Sequence, residues 1–281
     1  MLKGKYDNVP FRPNRWPFFY GWFILFAAII GSLASVPGQT FGVSAFTEPL
    51  LDALHIDRMR LSIAYMLGTI GSALVLTWGG KAYDAFGART TAFAAALGLG
   101  GILFFLSSVD HITRTLGQIL GEGARSWIAF VAITIGFLFL RFCGQGMLTM
   151  VSRNMLMKWF DHKRGLASGL MGTVIALVFS ATPYIFDTMI ETYGWRTSWV
   201  LMSVVMVAGV ATFILIFFRD NPENCELQPD GGLQADPNDP QHDPDHDYTL
   251  PEARRTPEFW IYNLIVALYA LYFTAFTFHV V

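Results

Sequence analysis

Residues 126–152 read SWIAFVAITIGFLFLRFCGQGMLTMVS. Arg141 is the single charge in that stretch. A bilayer's hydrocarbon core of about 30 Å is crossed by about 20 mostly apolar residues in helical form. Lipid offers no hydrogen bonds, so the backbone polar groups of such a run must be satisfied within it, and the run is a helix. The stretch therefore predicts a membrane-spanning helix carrying one cation about midway between Arg125 and Arg153.

The same reading extends outward in both directions. Residues 16–47, 61–80 and 90–109 precede this span, and 165–186, 197–218 and 259–281 follow it, each free of Asp, Glu, Lys and Arg. Seven spans make an all-α membrane protein. Composition agrees: 53% of the 281 residues are apolar and 14% charged, against roughly a quarter charged in soluble domains. A net charge of −2 gives no reason to expect a nucleic-acid partner. Cys143 lies in an apolar run and Cys225 in a polar loop, so neither a disulfide nor a metal site is expected. The first apolar run is too long for the core of a cleavable signal peptide. Gly165 with Gly169, and Gly68 with Ser72, have the spacing that lets helix backbones approach closely.

Lys and Arg orient the spans, because they concentrate in cytoplasmic loops. With the amino terminus inside, thirteen lie on the cytoplasmic side: Lys3, Lys5, Arg12, Arg15, Lys81, Arg89, Arg153, Lys158, Lys163, Arg164, Arg219, Arg254 and Arg255. Five lie outside: Arg58, Arg60, Arg114, Arg125 and Arg196. The expected organisation is a cytoplasmic amino terminus (residues 1–15), a six-span bundle (16–218), an acidic linker (219–257) and a seventh span (258–281). The linker is rich in Asp, Glu, Pro and Gly and has too few apolar residues to fold alone, so it is expected to be flexible.

The short turn between spans 2 and 3 reads Gly80-Lys81-Ala82-Tyr83-Asp84-Ala85-Phe86-Gly87-Ala88-Arg89. It resembles the loop signature of the major facilitator superfamily through Gly80, Asp84, Gly87 and Arg89, and departs from it at Ala85 and Ala88, where that family has basic residues. Physically, Gly87 permits a tight turn and Asp84 offers a carboxylate to a cation or a helix amino terminus. Lys158 to Gly169, and Gly194-Trp195-Arg196, resemble segments at the same places in the superfamily. Tyr20-Gly21-Trp22, Pro37-Gly38-Gln39-Thr40-Phe41-Gly42-Val43 and Arg141-Phe142-Cys143-Gly144-Gln145-Gly146 are similar to the oxalate/formate antiporter family, which adjoins the monocarboxylate transporters. The resemblance implies the six-helix amino-terminal bundle of a twelve-span fold, plus the first helix of a second, truncated bundle. It also implies a secondary transporter of the cell membrane that moves a small carboxylate by alternating access, with the 2–3 loop latching one conformation. It calls for neither cofactor nor metal, and for the lipid bilayer and a carboxyl-terminal bundle as partners.

Arg141 is the principal candidate residue. An intramembrane cation is costly and faces a cavity or a partner, and a guanidinium holds a carboxylate through two parallel hydrogen bonds. A structural arginine satisfied by carbonyls or by a distant carboxylate is the alternative. Gln145 lies one turn on from Arg141. Span 1 has its own polar interruption at Pro37-Gly38-Gln39-Thr40, and Gly-Gln recurs at Gly144-Gln145. Matching interruptions in repeated halves point to a binding site, although Pro37 is also enough to kink a helix. Tyr65 is a further candidate, or an interfacial aromatic, and Pro183 a kink. His279 is ionisable within an apolar run and suits either substrate or proton. Spans 1–6 contain no Asp or Glu, span 1 has no Lys, and no phosphate loop, zinc spacing or nucleophile elbow is present. This favours anion exchange over a proton symporter complete within these residues. A seven-span receptor and a non-transporting remnant are the remaining readings.

Overall fold

A computed structural model describes residues 8–232 and 249–280. Its regular structure is helical throughout, with no strand among the described residues. Four helical runs are long and apolar enough to cross a membrane: Arg58–Ser107, Gly123–Trp159, Arg164–Tyr193 and Trp195–Phe217.

The first expected span is not one helix. Helix α1 (Gly21–Leu33) ends before a 3₁₀ turn at Val36–Gly38, Gln39 is extended with ψ 157°, and α2 (Thr40–Ser44) restarts the helix. Pro37 cannot donate a backbone hydrogen bond and so cannot continue a helix. The freed amides of Gly38 and Gln39 turn back on the Ser35 and Val36 carbonyls at 2.9 and 3.0 Å. Helix α3 (Thr47–Leu54) follows.

Helix α4 (Arg58–Ser107) has 50 residues, about 75 Å at 1.5 Å per residue. That is more than twice a hydrocarbon core, so the chain must double back. It does so at Gly87, whose φ of 81° and ψ of 175° interrupt the helical backbone. Two expected spans, 61–80 and 90–109, thus join through the residue expected to make the turn. Asp57 caps the start of α4, accepting from the Arg60 amide at 2.8 Å.

After α4 come α5 (Val109–Leu120) and α6 (Glu122–Arg141). A widened π-helical turn at Phe142–Leu148 leads into α7 (Thr149–Trp159). Helix α8 (Arg164–Tyr193) contains Pro183. Helix α9 (Trp195–Val204), a second π-helical turn at Val205–Val210, and α10 (Ala211–Phe217) complete the sixth span. Helix α1 packs on α7 and α8, and α4 on α6 and α9. Gly68 makes the close approach that its spacing suggested: a Cβ there would stand 2.9 Å from the Leu138 amide nitrogen. Gly165 and Gly169 do not, since a Cβ on either meets nothing within 4 Å. Many large apolar side chains stay outside the core, among them Leu74, Trp78, Trp127 and Leu177, as a lipid-facing surface requires.

The folded unit continues beyond residue 218, where the flexible linker was expected to begin, and reaches Gly232. Arg219 is buried with its guanidinium 4.7 Å from the Phe11 ring, and donates to the Ile216 and Phe218 carbonyls at 2.8 and 2.7 Å. Asp230 accepts from the amides of Asp161 and His162 at 2.8 and 2.7 Å. Charged residues that read as solvated linker are held by backbone groups, an outcome that composition cannot register. In the second unit, α11 (Leu250–Ala253) precedes α12 (Pro257–Val280). The 24 residues of α12 rise about 36 Å, enough to span a bilayer. The side chain of His279 lies outside the described residues.

Candidate functional site

The two Gly-Gln dipeptides meet. A Cβ on Gly38 would stand 2.5 Å from the Leu140 carbonyl oxygen, and one on Gly144 2.9 Å from the Gly38 Cα. The glycines are therefore the crossing point of spans 1 and 4. Both spans are irregular at that crossing, one through its 3₁₀ break and the other through its π-helical turn. Widened turns of this kind leave backbone geometry off the regular ladder and recur at functional sites.

Arg141 is the last residue of α6 and the central residue of the 37-residue run Gly123–Trp159. It is 6% exposed. Its Nη1 donates to the Tyr65 hydroxyl and to the Thr40 hydroxyl, the latter at 3.4 Å. Tyr65 in turn donates to Thr40 Oγ1 at 3.1 Å. The guanidinium carbon lies 5.0 Å from the Tyr65 ring centroid. Three elements thus converge: the restart of span 1, the first half of α4 and the middle of span 4. Both of the arginine's hydrogen bonds among the described residues use Nη1 and go to neutral hydroxyls. Nε is buried with no partner among the described residues.

The remaining candidates separate from this cluster. Gln39 donates to Ser35 Oγ at 2.9 Å and Thr149 Oγ1 at 3.4 Å, and Thr149 donates to Ser35 Oγ at 3.2 Å. It ties span 1 to α7 beside the arginine rather than on it. The Gln145 side chain is exposed. The Gly38 backbone packs against its amide nitrogen, 3.1 Å from where a Gly38 Cβ would stand.

At the turn between spans 2 and 3, Gly87 and Arg89 are engaged but Asp84 is exposed. Asp220, just past α10, supplies the carboxylate instead, accepting from the Arg89 amide at 3.1 Å. A Cβ on Gly87 would overlap that carboxylate. The Arg89 guanidinium donates to the Leu215 carbonyl. Gly80 meets nothing within 4 Å of an added Cβ. Burial, reinforced by the charges of Asp220 and Asp84, pushes the neighbouring Tyr83 hydroxyl above its ordinary pKa and keeps it neutral.

At the opposite end, Asp110 and Arg196 form a fork. Arg196 Nε donates to Asp110 Oδ1 at 3.2 Å and its Nη2 to Oδ2. The Asp110 side chain is 1% exposed. Burial alone would raise its pKa, but the hydrogen bonds and charge of Arg196 outweigh that and hold it below the ordinary value. The sequence offered one signal for this pair: an acid directly after span 3 and an Arg directly before span 6.

Comparison with known proteins adds a family. The model described as Major Facilitator Superfamily matches residues 19–281. An uncharacterized MFS-type transporter YhjX of Escherichia coli (strain K12) is 23% identical, over 85% of this chain and 52% of its own length. An oxalate:formate antiporter of Oxalobacter formigenes is 22% identical, over 85% of this chain and 50% of its own. Monocarboxylate transporter 13 of Bos taurus is 25% identical, over 70% of this chain and 42% of its own. The chain thus spans about half the length of the curated relatives it matches. No solved structure matches it.

Proposed function

This chain belongs to the major facilitator superfamily, and from that premise we propose that it is the amino-terminal part of a transporter that moves a small carboxylate by alternating access. The anion sits at mid-membrane between this bundle and a second one, and Arg141 is its counter-charge. The bundle lies in the plasma or inner membrane with its amino terminus cytoplasmic, as the distribution of Lys and Arg supports.

The observation that carries this reading is the state of the Arg141 guanidinium. It is a buried cation at the centre of a membrane run, and its partners among the described residues are hydroxyls, not carboxylates. An uncompensated buried charge costs several kcal/mol, and a bound anion relieves that cost. Tyr65 and Thr40 occupy Nη1, which leaves the edge of Nε and Nη2 without a partner among the described residues. Those two parallel N–H groups match the two oxygens of one carboxylate. Thr40 and Tyr65 orient the guanidinium, while Gln39 stiffens the break in span 1. Gln145, exposed and one turn on from Arg141, is a further polar contact for the same anion. Relatives named for oxalate, formate and monocarboxylates support the substrate class.

The 2–3 turn is the conformational element of this mechanism. Gly87 and Arg89, pinned by Asp220, hold spans 2, 3 and 6 together at the cytoplasmic end. Asp84 stays exposed and open to a partner in the other bundle, with Gly80 at the start of the turn.

The test is uptake by the full-length protein in proteoliposomes. Unlabelled oxalate, formate, lactate and pyruvate compete for a labelled carboxylate, with neutral analogues of the same size as controls. At least one carboxylate should compete where its neutral analogue fails, and Arg141→Gln should abolish uptake without lowering the amount of inserted protein. Equal competition by neutral analogues, or full uptake by Arg141→Gln, would refute the reading.

A further inference from the structure

Two apolar cavities flank the crossing of spans 1 and 4, and they occupy equivalent places in the two three-span halves of the bundle. One, of about 390 Å³, lies between spans 2, 3 and 4. The other, of about 330 Å³, lies between spans 5, 6 and 1. In each, two spans form a hairpin and the third is the crossing span of the other half. The hairpins turn alike. Gly87 joins spans 2 and 3 with φ 81° and ψ 175°, and Gly194 joins α8 to α9 with φ 78° and ψ 155°. Each crossing span presents its break to its cavity: Phe142, Cys143 and Met147 of the π-helical turn in one, Val36 and Pro37 of the 3₁₀ turn in the other. Spans 3, 4 and 5 separate the two hairpin turns, so the cavities belong to opposite leaflets.

The cavities follow from the crossing. Gly38 and Gly144 bring spans 1 and 4 together backbone to backbone. That closeness draws each span away from the hairpin behind it, and a broken turn offers the hairpin no regular ridge to pack against. What remains is a void with a floor and a mouth. On the floor, Cys143 and Met147 of one cavity are 7% and 4% exposed, and Val36 and Met206 of the other 8% and 3%. At the mouth, Trp78 and Phe86 of one hairpin and Ile185, Leu201 and Val205 of the other are exposed, as part of the surface that faces lipid. No charged side chain lines either cavity among the described residues. Thr91 and Thr182 donate their hydroxyls to the Ala82 and Val178 carbonyls at 3.4 and 3.0 Å. Water needs polar partners, and an apolar cavity of about 150 Å³ stays dry and takes up hydrocarbon instead. These two are more than twice that size and open onto hydrocarbon.

We propose that each cavity seats one acyl chain of a membrane lipid, one chain from each leaflet, behind the Gly38–Gly144 crossing. The chain enters between the two spans of the hairpin, and its methylenes fill the space that the crossing leaves. The linings select for a flexible hydrocarbon and read no headgroup. The chain restores the dispersion contacts that a void forfeits. In the first cavity it touches Phe142 and Cys143, the residues that directly follow Arg141. In the second it touches Val36 and Pro37, directly before the Gly38-Gln39-Thr40 segment. The seated chains thus brace both breaks from behind, on the side away from the crossing. This assignment is independent of the substrate.

The test uses the full-length, unsubstituted protein in phosphatidylcholine liposomes doped with phosphatidylcholine that carries a diazirine midway along one acyl chain. After photolysis, mass spectrometry of the peptides locates the modified residues. Exposed side chains such as Leu74 and Leu177 report the lipid that surrounds the bundle. Label should also appear on Cys143, Met147 and Met206, which a chain reaches only from inside a cavity. Label confined to exposed side chains overturns the proposal, because water or protein then fills the cavities. A variant separates the two seats. Ala94 is an exposed residue of the first cavity's lining, so Ala94→Trp places an indole in that mouth. It should lower label on Cys143 and Met147 severalfold and leave label on Met206 and Leu177 unchanged. Undiminished label on Cys143 and Met147 overturns the seat between spans 2, 3 and 4.

Discussion

Replacing Gly87 by Ala tests the join between the 2–3 turn and the end of span 6. Two separable penalties follow from the structure. The first is conformational: φ 81° with ψ 175° is a region essentially confined to glycine, and holding another residue there costs about 1–3 kcal/mol. The second is steric, since the added Cβ overlaps the Asp220 carboxylate. Displacing that carboxylate sacrifices its hydrogen bond from the Arg89 amide, about 1.5–3 kcal/mol for a charged partner. Gly87→Ala should therefore destabilise by about 2.5–6 kcal/mol. Asp220→Ala alone loses the bond without the backbone strain, about 1.5–3 kcal/mol. In the double variant there is no carboxylate left to displace, so only the strain is added to the lost bond. The two single effects should then exceed the double by about 1.5–3 kcal/mol, well above the few tenths expected of independent sites. Denaturant unfolding of the detergent-solubilised protein measures all four corners of this cycle. Additive effects within about 0.5 kcal/mol would show that the glycine is needed for its backbone alone and that Asp220 is not its partner.

Arg141→Lys keeps the charge but loses the fork, which removes one of two parallel charge-assisted bonds. That is about 1.5–3 kcal/mol, so KM for uptake should rise about 10- to 150-fold, whereas a change under threefold would argue against two-point binding. Gly38→Ala pushes a methyl to 2.5 Å from the Leu140 carbonyl oxygen. Overpacking of this kind costs about 1–3 kcal/mol, which unfolding measurements should show, and Gly144→Ala should behave alike from the other side. The Asp110 carboxyl is held below its ordinary value by Arg196. Its contribution to stability is therefore complete above the unfolded-state pKa and is lost as pH falls through the lower folded-state value. Melting temperature followed downward from pH 6 should fall on the acid side of about pH 4, and Asp110→Asn should flatten that limb while leaving the neutral-pH slope unchanged.

The spans were legible because the bilayer imposes one rule on every residue in them. Charge-free length located 165–186, and apolar length with the single interruption of Arg141 located 126–152. The turn at Gly87 was legible because a 2–3 connection this short needs a residue with positive φ. Arg141 was legible as an anomaly, and Thr40 and Tyr65 proved to be its hydroxyl partners. What escaped the sequence depends on distant residues. Asp84 sits inside the loop pattern, yet Asp220 holds the turn, and nothing local to either acid says so. Span 1 shows its interruption at Pro37, but not the crossing with span 4 that places Gly38 against Gly144. Helix α5 carries Asp110, Arg114 and Gln118 among its apolar residues and falls below the density that marks a span. Arg219 and Asp230 look like linker because their ligands are backbone atoms, which no side-chain pattern records.

The two breaks have a common physical origin. For spans 1 and 4 to cross with backbones in contact, both need a residue without a side chain at the same depth, and Gly38 and Gly144 are those residues. Such closeness brings one helix's carbonyls against the other's amides, so a regular ladder is hard to keep on either side. Span 1 opens into a 3₁₀ turn and span 4 widens into a π turn. Polar side chains then compensate at mid-membrane, where water is absent: Gln39, Ser35 and Thr149 bond one another on one flank, and Thr40, Tyr65 and Arg141 on the other. The first flank is built of neutral groups that satisfy each other, so it needs no ligand. The second contains a cation with hydroxyls for partners and an Nε with no partner among the described residues. Of the two flanks, only the second would gain from an incoming anion, and that difference is the physical ground for proposing the carboxylate site at Arg141 and not at the more numerous polar groups around Gln39.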